Sequence, residues 1–209
     1  MDSDTLKRYT NLASLVAILK KGELTLLDPS KWEDKNDAHY LLKYGEKKKF
    51  KSLYVLCFTK ASETSHHWKV FSPGADGVCI KINTDKFLSH LESFKEIVHA
   101  KVDYKLIDDV ETQEIRVDRL PFIKRYAYRD EVEYRIVLGT KKEEKKKTYG
   151  IPFEISLIES IMLSNSLPND LKKPIVELLK SIDGCSDLDI FRSTLNENTR
   201  WKKACERAT

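Results

Sequence analysis

Tyr128-Arg129-Asp130-Glu131-Val132-Glu133-Tyr134-Arg135-Ile136-Val137-Leu138 is the stretch whose reading decides the fold. Val132, Tyr134, Ile136 and Leu138 alternate with Glu131, Glu133 and Arg135. A period of two predicts a strand over 131–138, with the two carboxylates and the arginine on one face. Two carboxylates held side by side repel each other. A strand built for stability alone has little use for them, whereas a site that meets a developing positive charge does.

Outward from this strand, the pattern supplies more strands than helices. Leu24–Leu26, Ser52–Phe58, Gly77–Ile82, Ile97–Tyr104, Gly150–Ile155, Ser160–Leu163 and Asp189–Arg192 read as strands, being short, apolar or alternating, and bounded by turn residues. Asn11–Lys21, Asp85–Phe94 and Pro168–Ile182 carry helical stripes, the first with Asn11 as cap and Gly22 as stop. A short helix is expected through Leu41 and Leu42, and a long helical stretch over Val110–Tyr126, interrupted near Pro121. Lys141–Lys147 reads as a charged hairpin tip. Strands that follow one another without a regular helix between them argue for an α+β fold, with a mixed or antiparallel central sheet flanked by helices.

The 209 residues are expected to form a single domain over 1–209, with a polar tail from about residue 196 that frays. Apolar residues make up 41% and charged residues 33%, enough to bury a core in a water-exposed chain. No apolar run approaches a membrane span. The N-terminus Met1-Asp2-Ser3-Asp4 lacks the pattern of a signal peptide, so a cytoplasmic protein without a membrane partner is expected. The four cysteines show no C-x-x-C pair and no zinc spacing. The net charge of +4 is concentrated in Lys47-Lys48-Lys49 with Lys51 and in Lys141 to Lys147. Such runs are solvated loops or a basic rim for phosphates.

No phosphate-binding glycine loop, G-x-S-x-G elbow or H-E-x-x-H pair is present, which excludes a kinase or a Rossmann oxidoreductase. What remains is polar and aromatic residues near strand ends: Arg8-Tyr9-Thr10, Asn36-Asp37, Phe58-Thr59, His67-Trp68, and Glu131 with Glu133. Each has a structural reading beside the functional one. Trp68 suits a core, His67 a buried hydrogen-bonder, and Arg135 an ion-pair partner that makes the two glutamates merely structural. Taken together they suit cleavage of an N-glycosidic bond. A carboxylate stabilises the oxocarbenium-like sugar, an arginine holds a diphosphate, and an aromatic ring stacks on the leaving base. NAD, cleaved at the nicotinamide–ribose bond, is the substrate that needs all three.

The order Arg8-Tyr9-Thr10, Gly22-Glu23-Leu24, Trp32 with Asn36-Asp37, Cys57-Phe58-Thr59, His67-Trp68 with Phe71-Ser72, Gly77 to Ile80 and Glu131-Val132-Glu133-Tyr134-Arg135-Ile136 resembles the family catalogued as domain of unknown function 2971. Ala38 stands where that pattern has proline. The chain is also similar, more distantly, to mono-ADP-ribosyltransferases of the Arg–Ser–Glu type. Arg8 answers to their arginine, Phe58-Thr59 with Ser62 loosely to their Ser-Thr-Ser element, and Glu131-Val132-Glu133 to their E-x-E strand. That resemblance implies an ADP-ribosyltransferase-like fold, with Glu133 as catalytic carboxylate and Glu131 as its helper. It implies Arg8, Tyr9, Thr10, Phe58, Thr59, His67 and Trp68 around NAD, and no metal. The implied partners are NAD, a macromolecular acceptor with nucleic acid among the candidates, and an inhibitory protein, as for a toxin or anti-phage effector. Two other classes stay open. One is a metal-dependent nuclease or nucleic-acid module using Asp37, Asp103, Glu131 and Glu133. The other is an inactive interaction domain.

Overall fold

A computed structural model describes residues 5–206, so the Met1–Asp4 terminus lies outside the described residues. The strand expected from Glu131 begins two residues later, as β8 (Glu133–Thr140). It pairs antiparallel along its length with β3 (Ser52–Thr59) and, on its other side, with β5 (Ile97–Lys101). The far edge of β3 is shared. At one end it meets β1 (Thr5–Asn11) through Lys7↔Thr59, and at the other it meets β2 (Glu23–Leu27) through Leu27↔Val55. From there the two strands diverge. β1 continues into β4 (Gly77–Asn83), β10 (Ile158–Leu163) and β11 (Ile190–Arg192), while β2 continues into β9 (Thr148–Pro152). Only β10 and β11 run parallel in this nine-stranded sheet. A separate parallel pair joins β6 (Asp103–Lys105) to β7 (Ile123–Arg125). The fold is α+β with a mixed sheet.

Alternation sorts the side chains onto two faces. Leu6, Leu56, Phe58, Ile80, Tyr134 and Ile136 point into the main core, covered by α1 (Leu12–Lys21), α4 (Thr84–Leu91) and α6 (Asn169–Lys180). Asn11 caps α1 through the Ser14 N–H, and Gly22 ends it in the left-handed region at φ 61°, as the sequence predicts. The opposite face carries two smaller clusters. One packs Leu41 and Tyr44 of α2 (Lys35–Lys48) on Leu53, Val55 and Val137. The other packs Trp68 of α3 (Ser65–Phe71) on Tyr9, Cys79 and Met162. Between α2 and α3 this face is left open.

Four sequence expectations are corrected. The 110–126 stretch is not one helix: it divides into α5 (Ile107–Thr112), a 3-10 segment over Val117–Phe122 with Pro121 inside it, and β7. Pro121 has no N–H to continue a helix. Lys141–Lys147 is not a hairpin tip, because β8 and β9 do not pair and the loop crosses to the far edge beyond β2. The helix expected around Leu41 is longer, starting at Lys35 because the Asp34 carboxylate caps the Asn36 and Asp37 N–H groups. A short helix, α7 (Thr199–Cys205), follows where the sequence reads as a polar tail. No helix among the described residues is long and apolar enough to cross a membrane.

α3 is held over β1 and β4 by Ser72. Its hydroxyl donates to the Thr10 carbonyl and accepts from the Val78 N–H at 3.1 Å. A Cβ on Gly77 would lie 2.5 Å from the Ser72 carbonyl oxygen. Gly77→Ala is therefore expected to lower stability by about 2 kcal/mol, the usual scale of overpacking. Urea denaturation should show a lower midpoint with an unchanged slope.

Candidate active site

Arg135 is 0% exposed, and its five N–H groups all have acceptors. Nε donates to Glu133 Oε1 at 2.7 Å and Nη2 to Glu133 Oε2 at 2.9 Å. Nη1 and Nη2 reach the two oxygens of Asp37 at 2.8 Å each, and Nη1 also reaches the Pro121 carbonyl at 2.9 Å. The Trp32 ring lies 5.6 Å from the guanidinium. A second cation, Lys124 on β7, donates to Glu131 Oε2 at 2.5 Å and to Glu133 Oε2 at 3.3 Å, and lies 3.7 Å from Asp37. Three carboxylates thus meet two cations, leaving one negative charge in excess.

The E-x-E pair does not sit on one strand face as expected. Glu131 ends a 3-10 segment over Tyr126–Glu131, and Val132 takes φ 42°, ψ 50° before β8 begins. A β-branched residue in the left-handed region is strained. The kink turns Glu131 out of the strand, and Lys124 then ties it back to Glu133. Thr59 fixes the same turn, its hydroxyl donating to the Glu131 carbonyl at 2.5 Å and accepting from the Ala61 N–H at 2.9 Å.

The two glutamates part electrostatically. Burial pushes Glu133 up, but the Arg135 guanidinium, helped by Lys124, outweighs it and holds the carboxyl at about 2. For Glu131 burial prevails over Lys124 and the carboxyl is raised. Burial likewise raises Asp37 against the pull of Arg135. Glu133 is therefore held as the anion, while Glu131 and Asp37 are both shifted towards the protonated form. Both oxygens of Glu133 are engaged, while Glu131 Oε1 has no partner among the described residues.

Both glutamates line a cleft of about 320 Å³ that opens where β1 and β2 part along β3. Arg8, Tyr9, Phe58 and Thr59 line it too, as do Lys7, Trp32, Asp37, Phe71 and Lys124. Arg8 shares the core face of β1 with Leu6 and reaches through the opening, Nη1 donating to the Cys57 carbonyl at 3.1 Å. Thr10, His67 and Trp68 do not line the cleft. His67 stacks on Tyr9 at 5.5 Å, with Nδ1 against the Thr64 hydroxyl at 2.5 Å. Trp68 meets Tyr9 edge-on at 5.1 Å and donates to Glu63 at 2.8 Å. They stiffen the Tyr9 wall from behind. Cys57 also lines the cleft, and burial holds its thiol well above the usual range. Asp103 pairs with Lys105 at 3.2 Å, away from this group.

Lys124 is the residue the sequence reading misses, because it lies inside the stretch read as helix. Lys7 and Tyr104 are missed as well, while Phe71, part of the quoted family pattern, does line the cleft. The Tyr104 hydroxyl accepts the Glu133 N–H at 2.8 Å and seats the first residue of β8.

No family model matches the chain, domain of unknown function 2971 included, and no curated protein matches it. Solved structures of Thermus sp. 2.9 DarT are similar to it in fold. The complex with NAD+ and the complex with ADP-ribosylated ssDNA each give a TM-score of 0.49 at 9% identity over 92% of this chain, and over 96% and 95% of theirs. The complex with carba-NAD+ gives 0.46 at 9% identity, over 92% of this chain and 97% of that one. A likeness of that degree assigns no activity to this chain.

Removing Arg135 would leave Glu133 and Asp37 buried without a counter-charge. Arg135→Met is expected to cost about 3–5 kcal/mol. Adding Glu133→Gln and Asp37→Asn should recover a measurable part of that loss in thermal melts. Val132→Asn, which tolerates the left-handed backbone, is expected to raise stability by about 1 kcal/mol.

Proposed function

We propose that the cleft binds NAD and that the chain transfers ADP-ribose from it to an acceptor. The observation that carries this reading is the divergence of the two glutamates at one cleft. One is held ionised and the other is raised towards proton exchange, the pattern by which paired carboxylates divide electrostatic and acid–base roles. In the proposed reaction the bond between the ribose anomeric carbon and the pyridinium nitrogen breaks. Its electron pair goes to the nitrogen, nicotinamide leaves neutral, and positive charge spreads over the anomeric carbon and ring oxygen. The excess negative charge around Glu133 stabilises that cation without reorganisation. The acceptor then attacks the anomeric carbon and gives its proton to Glu131.

The ring of Tyr9, stiffened by His67 and Trp68, and the half-exposed ring of Phe71 offer flat surface to the leaving base. Arg8, with one hydrogen bond to the protein, keeps donors for the ligand. A Mg²⁺ site in the same cleft is disfavoured because Asp37, Glu131 and Glu133 converge on Lys124 and Arg135. A nucleic-acid acceptor, a toxin or defence role, an inhibitory partner and a cytoplasmic location belong to this reading as its expected setting.

Nicotinamide release from NAD tests it. Glu133→Gln is expected to lower the rate by about 100-fold or more, the scale of losing one electrostatic stabiliser. Equal rates for wild type and this variant across an acceptor pool would falsify the assignment. A proton-accepting Glu131 must be ionised, so transfer should fall as pH drops through a value above the ordinary carboxylate range. Glu131→Gln should remove that limb, while Glu133, ionised down to about 2, contributes none.

A further inference from the structure

The charges of the cleft are unevenly placed. At the β8 side three carboxylates outnumber two cations. Across β3 the position is reversed. Lys7 is 4% exposed and lines the cleft, and its ammonium forms no hydrogen bond or ion pair with any described residue. Directly opposite it on β4 stands Lys81, whose ammonium lies 5.4 Å from the Phe191 ring and which has no carboxylate partner among the described residues. Like charges facing each other across an antiparallel pair destabilise it. The Lys7 residue is largely buried, and the place left for its ammonium is the cleft that it lines. These two strands tolerate a cation pair that nothing in the described chain neutralises.

Register shows which face this cation serves. Lys7 pairs with Thr59, and Thr59 pairs with Glu133, so the three form one row across β1, β3 and β8. Paired residues share a face, and two strand spacings separate Lys7 from Glu133 by roughly 10 Å. Arg8 stands on the other face of β1, with Leu6. On the carboxylate side of the sheet, therefore, β1 presents Lys7 and Tyr9.

We propose that Lys7 is an anion-binding residue and that its ligand is a phosphoryl group, the diphosphate of the dinucleotide that fills the cleft. A few bonds along the sugar separate an anomeric carbon from its 5′-phosphate. A ribose lying over Thr59 then places its reacting carbon towards Glu133 and its phosphate towards Lys7. The compact ammonium acts as a point charge on the oxyanion, leaving Arg8 to engage it through the opening in the sheet. That the anion is a diphosphate rests on the NAD reading above; that Lys7 takes an oxyanion does not.

Isothermal titration of the full chain with inorganic pyrophosphate tests this site, with NAD titrated alongside. Wild type is expected to bind pyrophosphate, more weakly as salt rises. Lys7→Met should weaken binding by about tenfold or more, the loss of one charge-assisted contact, and Lys7→Arg should keep most of it. Because Lys7→Met removes no side-chain contact with a described residue and relieves the repulsion across from Lys81, it should melt no lower than wild type, so lost binding is not lost fold. Lys7-dependent pyrophosphate binding together with absent NAD binding and absent nicotinamide release keeps the anion site and sinks the NAD reading. Pyrophosphate binding as tight in Lys7→Met as in wild type, or none in wild type, overturns the role of Lys7 whatever NAD does.

Discussion

The structure depends on one guanidinium that water does not reach. A buried charge survives only when its whole hydrogen-bonding capacity is met. Arg135 meets this with a fork of five donors aimed at Glu133, Asp37 and Pro121. Each acceptor comes from a different part of the chain: the start of β8, the first turn of α2, and the 3-10 segment before β7. Satisfying one side chain therefore fixes the relative positions of three elements. Lysine, with a shorter reach and no planar fork, has no equivalent way to bind two carboxylates bidentately.

The second constraint is the shared edge of β3. A strand edge contacted at one end by β1 and at the other by β2 cannot be closed between them. The resulting gap is what allows residues from both sheet faces, Arg8 and Phe58 from one and Lys7, Tyr9, Thr59 and Glu133 from the other, to border one cleft. Helix α2 and helix α3 each cover part of the open face and leave the middle free. The cleft is thus a consequence of topology, while Arg135 makes its floor rigid.

Much of this was legible in the sequence, and the failures have physical causes. A short apolar run located β3, and alternation located β4 and β8, whose core-facing residues are apolar at every second position. The E-x-E pair was visible as an anomaly, and so was Arg135 as its structural counterweight. What alternation could not show was the left-handed turn at Val132, since a β-branched residue is the last one expected there. Lys124 was hidden for a related reason. The apolar spacing between Val110 and Tyr126 imitates a helix, and Pro121 breaks it into pieces too short for any period to register. The side of β1 that matters was also out of reach. Sequence fixes which residues alternate, but only the register with β3 and β8 shows that Lys7, one position before the more conspicuous Arg8, stands on the carboxylate face.

The electrostatics also explain why a cleft of this kind should be occupied. Its β8 side holds more carboxylates than cations, and its β1 side carries Lys7 and Arg8 with no carboxylate partner among the described residues, with a neutral strand between. The two sides stand two strands apart, and Lys7 forms no ion pair with a described carboxylate. Rearranging side chains would only move the imbalance, since Glu133 and Asp37 are already committed to Arg135. The charge pattern is complementary to a molecule with a cationic ring at one end and an oxyanion a few bonds away. NAD has that pattern in its ground state, through the nicotinamide pyridinium and the diphosphate. In the proposed reaction, breaking the glycosidic bond would move the positive charge from the departing ring to the sugar, towards Glu133. An interaction that strengthens along the reaction coordinate accelerates the step rather than merely tightening binding. In the proposed reaction the buried Arg135 would serve that purpose as well, because it holds Glu133 ionised and in place.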